Sequence, residues 1–291
     1  MKNIPNCEKV LFEIKNDEHN QGEQRYCVEN ADGQRMFLRV SPKEVYDGKK
    51  IEHEIMERIY NLGVPTSRPI DLGFCNDGEN AYSLTSWIDG EDLDKVIHLL
   101  TEAEQYAIGC KAGLYLQLIN SIPAGKTPEE WEIELNGQID WTVQEYLQCE
   151  NRFADEKYVL DYLTKNRHLL KNRPQSFLHY DYALRNIILV NKTEPYVIDY
   201  ADYGFGDPWR EFWFTFWSGS NASHYLTGVI NGYFNYSIPE LFFPTLRLYV
   251  SISMLRCFIY DGIDAGEKMF SERYNYLGNS IPAWYLSDYA E

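Results

Sequence analysis

A short polar segment that leads into two apolar runs constrains this chain more than any other feature. The segment contains Asp181 and Asn186, and the apolar run 187–190 follows it directly. A polar turn then leads into a second apolar run, 196–198, which ends at Asp199. Two short apolar runs joined by a turn are typical of a β-hairpin. We therefore expect Asn186, at the start of the hairpin, to lie close to Asp199, at its end.

These three polar residues have the chemistry that phosphoryl transfer requires. Asn and Asp side chains offer oxygen ligands that suit Mg²⁺. A separate carboxylate, here Asp181, can orient an attacking hydroxyl and accept its proton. The alternative is that all three residues only form turns. Their order, His-x-Asp, four residues, Asn, and then Ile-Asp, matches the kinase catalytic loop and metal-binding aspartate and favours the catalytic interpretation.

The motif resembles that of the aminoglycoside phosphotransferases, small-molecule kinases with a protein-kinase-like fold. Their signature reads roughly His-Gly-Asp, four residues, Asn, then Ile-Asp and a downstream Gly-Asp-Pro, which this chain has at 206–208. The chain departs from the signature at Tyr180, where the family usually has Gly, and at Glu211, where an Asp is common. Asp207 fits a helix N-cap that braces the loop.

The resemblance assigns roles to the residues of the motif. Asp181 is the candidate general base, and Asn186 and Asp199 are the candidate Mg²⁺ ligands, with ATP or GTP as co-substrate. His179 is expected to orient the loop by hydrogen bonding. Arg185 is a catalytic candidate that would offset γ-phosphate charge in the transition state, although an Arg here could equally be a surface or structural residue.

The first ninety residues predict an antiparallel sheet with one helix. Strands are predicted where apolar or alternating runs are bounded by turn residues, at 10–14, 25–29, 36–40, 70–74 and 81–85. Helical spacing of apolar residues predicts a helix over 43–62. In a kinase-like lobe the loop 16–24, with Gly22, would cover the nucleotide phosphates with backbone N–H groups. Without the rest of the pattern it would be an ordinary surface loop.

Four further residues are implied in nucleotide binding by the resemblance. Arg39 takes the place of the Lys that contacts the phosphates and keeps its positive charge. Glu54 matches by position the glutamate that pairs with that cation. An exposed strand Arg and a solvated helix Glu are the alternatives. The segment 86–90 resembles the hinge, so the Ser86 carbonyl and the Ile88 amide would face the adenine edge.

The sequence beyond residue 90 is predominantly helical. Helices are predicted over 101–120, 139–149, 155–171, 209–217, 222–236, 239–260 and 265–279. The predicted fold class is therefore α+β and bilobal, as in protein kinases. A nucleotide-binding lobe of five antiparallel strands and one helix would span residues 1–87, and a mainly helical catalytic and substrate-binding lobe would span residues 88–291.

Composition narrows the partners and the compartment. The formal net charge of −17 disfavours nucleic acid and favours cationic small molecules, although acidity also simply keeps proteins soluble. No run approaches the roughly 18 apolar residues of a membrane span, and the N-terminus lacks the apolar core of a signal peptide. The six cysteines are widely separated, as in a reduced cytoplasmic protein.

These features together predict a small-molecule kinase. Pro208 lies only nine positions after Asp199, which leaves no long activation segment to dock a polypeptide. The predicted function is ATP-dependent phosphorylation of a hydroxyl on a small, cationic molecule, an aminoglycoside or similar antibiotic, held near the acidic residues 129–134 or 261–267. A metabolic kinase of the choline, homoserine or thiosugar type and a non-catalytic nucleotide-binding protein are the alternatives.

Overall fold

The structure is a computed structural model of the 291-residue chain. It describes residues 4–14, 22–150, 152–153, 156–213, 222–262, 264, 266–267, 281–282 and 284–289. The chain divides into two compact units, one of Met1–Glu91 with Ile188–Ala201 and one of Asp92–Ile187 with Asp202–Glu291. The lobe boundary expected between residues 87 and 88 stays a prediction.

The first unit contains a five-stranded antiparallel sheet in the order β1-β2-β3-β5-β4. Each predicted strand is confirmed to within two residues at its ends, because the alternation of apolar side chains and the flanking turns limit its extent. The strands are β1 Lys9–Ile14, β2 Gln24–Glu29, β3 Arg35–Pro42, β4 Pro69–Cys75 and β5 Asn80–Ser86. The predicted helix is a short 3₁₀ turn, Lys43–Val45, followed by α1, Tyr46–Asn61.

Alternation along β3 separates the core of this sheet from its functional face. Met36, Leu38 and Val40 are buried in one apolar cluster. Successive side chains of a strand point to opposite faces, so Phe37 and Arg39 lie on the other face. The sequence of β3 therefore presents a cation on one side of the sheet while its apolar residues fill the core on the other.

A second, three-stranded sheet contains the hairpin that the sequence predicts. Its order is β6-β8-β9, formed by β6 Glu91–Asp92, β8 Ile187–Val190 and β9 Glu194–Val197. The Thr193 amide donates to the Val190 carbonyl across the turn, at 3.1 Å. Asn186 directly precedes β8, and Asp199 follows the end of β9 by two residues.

The second unit is mainly helical in its described part. Its helices are α2 Leu93–Val96, α3 Glu102–Ile119, α4 Pro128–Gln148, α5 Glu156–Lys165, α6 Ser223–Phe234 and α7 Phe242–Asp261, and β7 Ser176–Leu178 pairs with β10 Gly204–Gly206. The helix predicted over 139–149 is the second half of α4. The helix predicted from 209 begins as a 3₁₀ helix, Pro208–Trp213. Residues 214–217 and most of the predicted helix 265–279 lie outside the described residues.

The acidic stretch 129–134 forms the first turns of α4. Thr127 and Glu130 form a capping box, in which each side chain accepts a hydrogen bond from the other residue's backbone amide. Glu134 pairs with Lys126. Negative charge near a helix N-terminus is favourable, so these carboxylates have a local structural role.

Helices α3 and α6 pack with their backbones in direct contact. A Cβ added at Gly113 would lie 2.1 Å from the Val229 carbonyl oxygen, and one at Gly232 would lie 2.0 Å from the Cys110 carbonyl oxygen. Gly109 and Gly228 face each other's helices in the same way. Only glycine at these positions permits so close an approach.

Contrary to the expectation from the sequence, helix α7 is long and apolar enough to cross a membrane by length and composition, and it is the one such helix in the described ranges. Most of the apolar stretch of this helix is buried inside the protein. Its side chains include Leu246, Leu248 and Leu255, each almost completely shielded from solvent. The apolarity of α7 is therefore explained by its place in the core of the second unit.

Candidate functional site

A buried network of charged side chains surrounds Arg39 in the first unit. The Arg39 guanidinium donates to Glu52 Oε1 through Nη2 at 2.7 Å and to Ser83 Oγ through Nε at 3.2 Å. Lys49 Nζ lies 2.7 Å from Glu23 Oε2 and 3.4 Å from Glu52 Oε2. Two cations and two carboxylates thus hold one another at the face of the sheet opposite its apolar core.

The charges of this network shift the pKa values of its members. Burial alone would raise the pKa of Glu23, but Arg39 and Lys49 outweigh it and lower that pKa to about 2. Burial would likewise lower the pKa of Arg39, yet Glu52, Glu23 and Asp199 raise it. The Arg39 guanidinium is therefore firmly charged, and the Glu23 carboxylate beside it is ionised.

The ion pair predicted between Arg39 and Glu54 is wrong, because Glu52 forms it instead. Glu54 is exposed. Glu52 lies three and seven residues before Ile55 and Ile59, and all three are buried on the same face of α1. Glu54 is two residues further along, which turns its side chain about 200° around the helix axis. Helical phase with the apolar residues was the sequence signal that identifies Glu52.

Asp199 is placed in the first unit, where its charge acts on Arg39. The residue is exposed and has a φ of 67°, in the left-handed region that non-glycine residues rarely adopt. Within the described residues its carboxylate has no hydrogen bond or ion pair. An exposed carboxylate held in a strained backbone conformation is available to a ligand, and strain of this kind often accompanies function.

The segment predicted as a hinge leaves β5 at Ser86. The Ser86 hydroxyl accepts a hydrogen bond from the Arg68 amide at 2.8 Å, and the Trp87 amide donates to the Arg35 carbonyl at 3.2 Å. Among the described residues, the Ile88 amide has no acceptor. It is therefore available to an acceptor on a bound base.

Aromatic rings cluster beside this segment. The Trp87 ring packs against Phe12 at 5.7 Å and against Phe37 at 6.4 Å between centroids. Phe37 shares its sheet face with Arg39. A cavity of about 470 Å³ also borders residues 86–89, but its wall includes Met36, which lies on the opposite face. This cavity lies behind the segment relative to Arg39, and we assign it no part in nucleotide binding.

The loop predicted to cover the phosphates is described only at its end. Residues 15–21 lie outside the described residues. Gly22 has a φ of 97°, which favours glycine, and lies near Pro42. Its assignment to nucleotide binding stays a prediction.

The second unit brings together the two predicted catalytic residues, Asp181 and Arg185, and the predicted metal ligand Asn186. Arg185 Nη2 donates to both carboxylate oxygens of Asp181, at 2.7 and 2.8 Å. Asn186 Nδ2 donates to Asp181 Oδ2 at 2.7 Å and to the Asp181 carbonyl at 2.8 Å. The amide nitrogen of Asn186 is thus occupied, and its Oδ1 is the atom left for a cation. The carboxylate of Asp181 is held in one orientation.

The residues before Asp181 explain how the loop is held. His179 is fully buried, and its Nδ1 accepts a hydrogen bond from the Asp181 amide at 3.3 Å. Tyr180 has a φ of 69°, a conformation that glycine adopts most easily. Trp213 Nε1 donates to the Tyr180 carbonyl at 3.2 Å. A Cβ on Gly204 would lie 2.2 Å from the Tyr180 ring, so a glycine there makes room for it.

Two carboxyl groups behind the loop have different environments. Asp207 accepts hydrogen bonds from Arg173 Nε at 2.6 Å, from the Tyr249 hydroxyl at 2.5 Å and from the Trp209 amide at 3.0 Å. This confirms its predicted capping and bracing role. Burial raises the pKa of Glu211 to about 8, against the lowering effect of nearby backbone amides. Neither Glu211 oxygen has a hydrogen bond of normal geometry within the described residues.

A cavity of about 450 Å³ lies in the second unit and includes Tyr180, the neighbour of Asp181, in its wall. Arg210, Arg256 and Asp261 are its charged residues. The sequence analysis named Asp261 as part of an acidic stretch but did not single out either arginine. No motif carries such a signal, because the two arginines lie 46 positions apart.

The side chains described so far offer few protein ligands for a Mg²⁺ ion. No group of three or more His, Cys, Asp or Glu side chains suited to a metal occurs in the described part of the chain. Mg²⁺ in nucleotide enzymes usually takes only one or two protein oxygens, with phosphates and water supplying the rest. The Oδ1 of Asn186, in the second unit, and the carboxylate of Asp199, in the first unit, which has no ion pair within the described residues, are each an oxygen ligand of that kind.

Comparison with solved structures shows the fold. The chain is similar to a thermostable mutant of aminoglycoside phosphotransferase APH(4)-Ia in ternary complex with ADP and hygromycin B, at 17% identity over 94% of this chain and 96% of that one, with a TM-score of 0.64. It is also similar to aminoglycoside 2'-phosphotransferase-IIIa in its GDP complex, at 13% identity over 91% and 93%, with a TM-score of 0.63.

A third similar structure is the amicoumacin kinase hAmiN in complex with AMP-PNP, Ca²⁺ and Ami. It shares 14% identity over 94% of this chain and 89% of that one, with a TM-score of 0.55. No curated protein matches the sequence. The predicted α+β, kinase-like fold class is confirmed by these structures.

The sequence also matches a protein-family model. The model of the family described as "Phosphotransferase enzyme family" matches residues 13–242, a range that includes every catalytic, metal-binding and nucleotide-binding candidate predicted from the sequence. The predicted resemblance is thereby confirmed. The chain belongs to the phosphotransferase enzyme family.

Proposed function

We propose that this protein transfers the γ-phosphate of ATP to a hydroxyl group of a small molecule. The observation that carries the proposal is the geometry of Asp181, whose carboxylate is held by Arg185 and Asn186 inside a family catalytic-loop motif. A carboxylate in that place can align an acceptor hydroxyl and take its proton, a contribution of about 10²- to 10⁴-fold in rate.

The other residues of the motif are proposed to hold the donor. Asn186 Oδ1 and the Asp199 carboxylate would hold Mg²⁺, which neutralises charge on the nucleotide phosphates when bound. Arg185 holds Asp181 in the structure, and on the approach of a nucleotide its guanidinium would also offset γ-phosphate charge. Its side chain is largely exposed, which leaves it free to do so.

The first unit is proposed to bind the rest of the nucleotide. Arg39, fixed by Glu52, would contact the α- and β-phosphates. The Ile88 amide and the Ser86 carbonyl would bind the adenine edge, and the rings of Phe12 and Phe37 offer an apolar surface for the base. Backbone recognition of this kind does not by itself distinguish ATP from GTP. One similar structure is a GDP complex, so GTP is the alternative phosphate donor.

Two classes of acceptor are supported by different observations. Similar structures contain hygromycin B or amicoumacin, which supports an aminoglycoside or a related antibiotic, and a cytoplasmic resistance enzyme is the corresponding biological role. A metabolic hydroxyl compound is the second candidate. It is favoured by the two arginines in the wall of the cavity beside Tyr180, since a polycationic antibiotic would be repelled by them.

Two matched substitutions test the proposed roles. Asp181→Asn should lower turnover by about 10²-fold or more while leaving nucleotide affinity unchanged. Asp199→Asn should weaken binding of the Mg²⁺-nucleotide itself. Asp32→Asn, at an exposed position in the turn between β2 and β3, is the control. Turnover is followed as ADP release with a panel of acceptors, and affinity is measured by calorimetry with a non-hydrolysable ATP analogue and Mg²⁺.

Full activity in both variants would refute the assignment of roles. Nucleotide binding without phosphate transfer to any acceptor in a broad panel would instead favour the non-catalytic alternative.

A further inference from the structure

The cavity in the second unit carries a charge opposite to that of the chain. Two guanidinium groups, Arg210 and Arg256, and one carboxylate, Asp261, line it, which gives a local net charge of +1. The chain as a whole has a formal net charge of −17. The local charge of this cavity therefore disfavours a cationic ligand there.

The hydrogen-bond partners of Arg256 and the ring contacts of Arg210 carry no negative charge. Arg256 Nε donates to Thr142 Oγ1 at 3.3 Å and its Nη2 donates to Gln138 Oε1 at 3.4 Å. Both acceptors are neutral. Arg210 lies 5.4 Å from the ring centres of Trp131 and Tyr180. Within the described residues neither arginine forms an ion pair, and Asp261 lies beyond ion-pair distance of both.

The two arginines also act on each other. Burial of the Arg256 guanidinium lowers its pKa, and the nearby charge of Arg210 lowers it further. Like charges that are partly removed from water without a counter-ion cost stability. A bound anion would remove that repulsion and accept charge-assisted hydrogen bonds from donors that are already oriented.

We propose that this cavity binds the acceptor and that the acceptor carries an anionic group, a carboxylate or a phosphate, in addition to its hydroxyl. The proposal rests on the proposed function, because Tyr180 in the cavity wall directly precedes the candidate base Asp181. Arg210 and Arg256 bind the anionic group, and they are the specificity-determining residues of the site. The cationic acceptor expected from net charge alone is replaced by an anionic one.

The remaining wall limits the size and shape of the ligand. Tyr180, Trp213 and Tyr260 supply rings, and Ile252 supplies an aliphatic surface. A cavity of about 450 Å³ is of the size that takes a small organic ligand. A compact molecule with a flat apolar part between its hydroxyl and its anionic group fits this wall better than a large polar oligosaccharide.

Isosteric probes of opposite charge test the proposal. 4-(Hydroxymethyl)benzoate and 4-(hydroxymethyl)benzylamine differ in the charge of one substituent, and 4-(hydroxymethyl)phenyl phosphate provides the phosphate arm. Affinity for each is measured by calorimetry with the full chain, and phosphate transfer is measured with ATP and Mg²⁺. The proteins are the wild type, Arg256→Gln, Arg210→Gln and the control Arg152→Gln. Within the described residues Arg152 pairs with Glu156 at the surface, at 3.4 Å.

At least one anionic probe should bind more tightly than the amine. Each cavity substitution should weaken its affinity by roughly 10- to 100-fold, whereas Arg152→Gln should not change it. Without ligand, the Arg256→Gln protein should melt no lower than the wild type, because the substitution removes a repulsion. That result separates loss of a ligand contact from loss of folding. The ratio of benzoate to phenyl phosphate affinity identifies which anion the site prefers.

Several outcomes would overturn the proposal. These are equal or tighter binding of the amine, no binding of either anion at millimolar concentration, or anion affinity that survives both cavity substitutions. Arginine-dependent anion binding without Asp181-dependent phosphate transfer to any acceptor would leave the ligand class standing and refute the proposed function. If the amine-bearing probe alone were phosphorylated, and in an Asp181-dependent way, the proposed function would stand and the anionic ligand class would be refuted.

Discussion

Replacing Glu52 should disturb this protein far more than replacing Glu54, although the two residues are neighbours on the same helix. Glu52→Gln removes the charge that faces the Arg39 guanidinium at 2.7 Å and keeps the size of the side chain. Glu54→Gln makes the same chemical change on the exposed face of α1. The pair therefore compares a buried and an exposed carboxylate in one helical turn.

The burial of the pair sets the expected magnitude. The Arg39 and Glu52 side chains are only 11% and 5% exposed, and breaking a buried ion pair by removing one partner typically costs 3–5 kcal/mol. Glu23 also acts on Arg39 and compensates part of its charge, so we expect about 3 kcal/mol. With about 2.1 cal/mol/K of unfolding entropy per residue, that corresponds to a fall in Tm of about 5 °C. Glu54→Gln should change the free energy of unfolding by less than about 0.5 kcal/mol.

Differential scanning calorimetry on both variants measures the stability difference. The KM for ATP should rise in Glu52→Gln and stay unchanged in Glu54→Gln, because Glu52, and not Glu54, pairs with Arg39. Equal effects of the two substitutions, or a larger effect of Glu54→Gln on either quantity, would refute the argument from helical phase and burial.

Two further predictions concern packing and pH. Gly113→Ala should destabilise the protein by about 3 kcal/mol, because its Cβ would meet the Val229 carbonyl oxygen at 2.1 Å; Gly137→Ala, which has open space on α4, should stabilise it by about 0.5–1 kcal/mol. Thermal melts of the two variants measure both stability changes, and a Tm for Gly113→Ala at or above that of the wild type would contradict the packing argument. The raised pKa of Glu211, about 8, means that the folded state keeps a proton that the unfolded state loses near pH 4.3. This group therefore stabilises the fold below that pH, and its contribution is lost as the pH rises to about 8. Glu211→Gln should remove that slope from a plot of Tm against pH, and an unchanged slope would contradict the assignment.

The strands and the catalytic loop could be predicted from the sequence because their signals are local. Alternation in β3 gives both its length and the face on which Arg39 lies. The spacing of Asp181 and Asn186 reflects one loop, in which the Asn amide reaches the Asp carboxylate across five residues. The choice of Glu54 over Glu52 failed for a local reason as well, since motif position was given more weight than helical phase.

The cavity and its charge were decided by tertiary structure alone. Tyr180, Arg210 and Arg256 come from a loop, a 3₁₀ helix and α7, and nothing in the spacing of these segments indicates that their side chains share a wall. Net charge is a sum over the whole chain, so it predicted an acidic site and a cationic acceptor. The charge that a ligand meets is set by the few side chains within reach of it, and folding places two guanidinium groups, without an ion pair among the described residues, in the wall of this cavity. The sequence determined the strands and the candidate catalytic loop, whose signals depend on neighbours along the chain. The environment of the acceptor depends on neighbours in space.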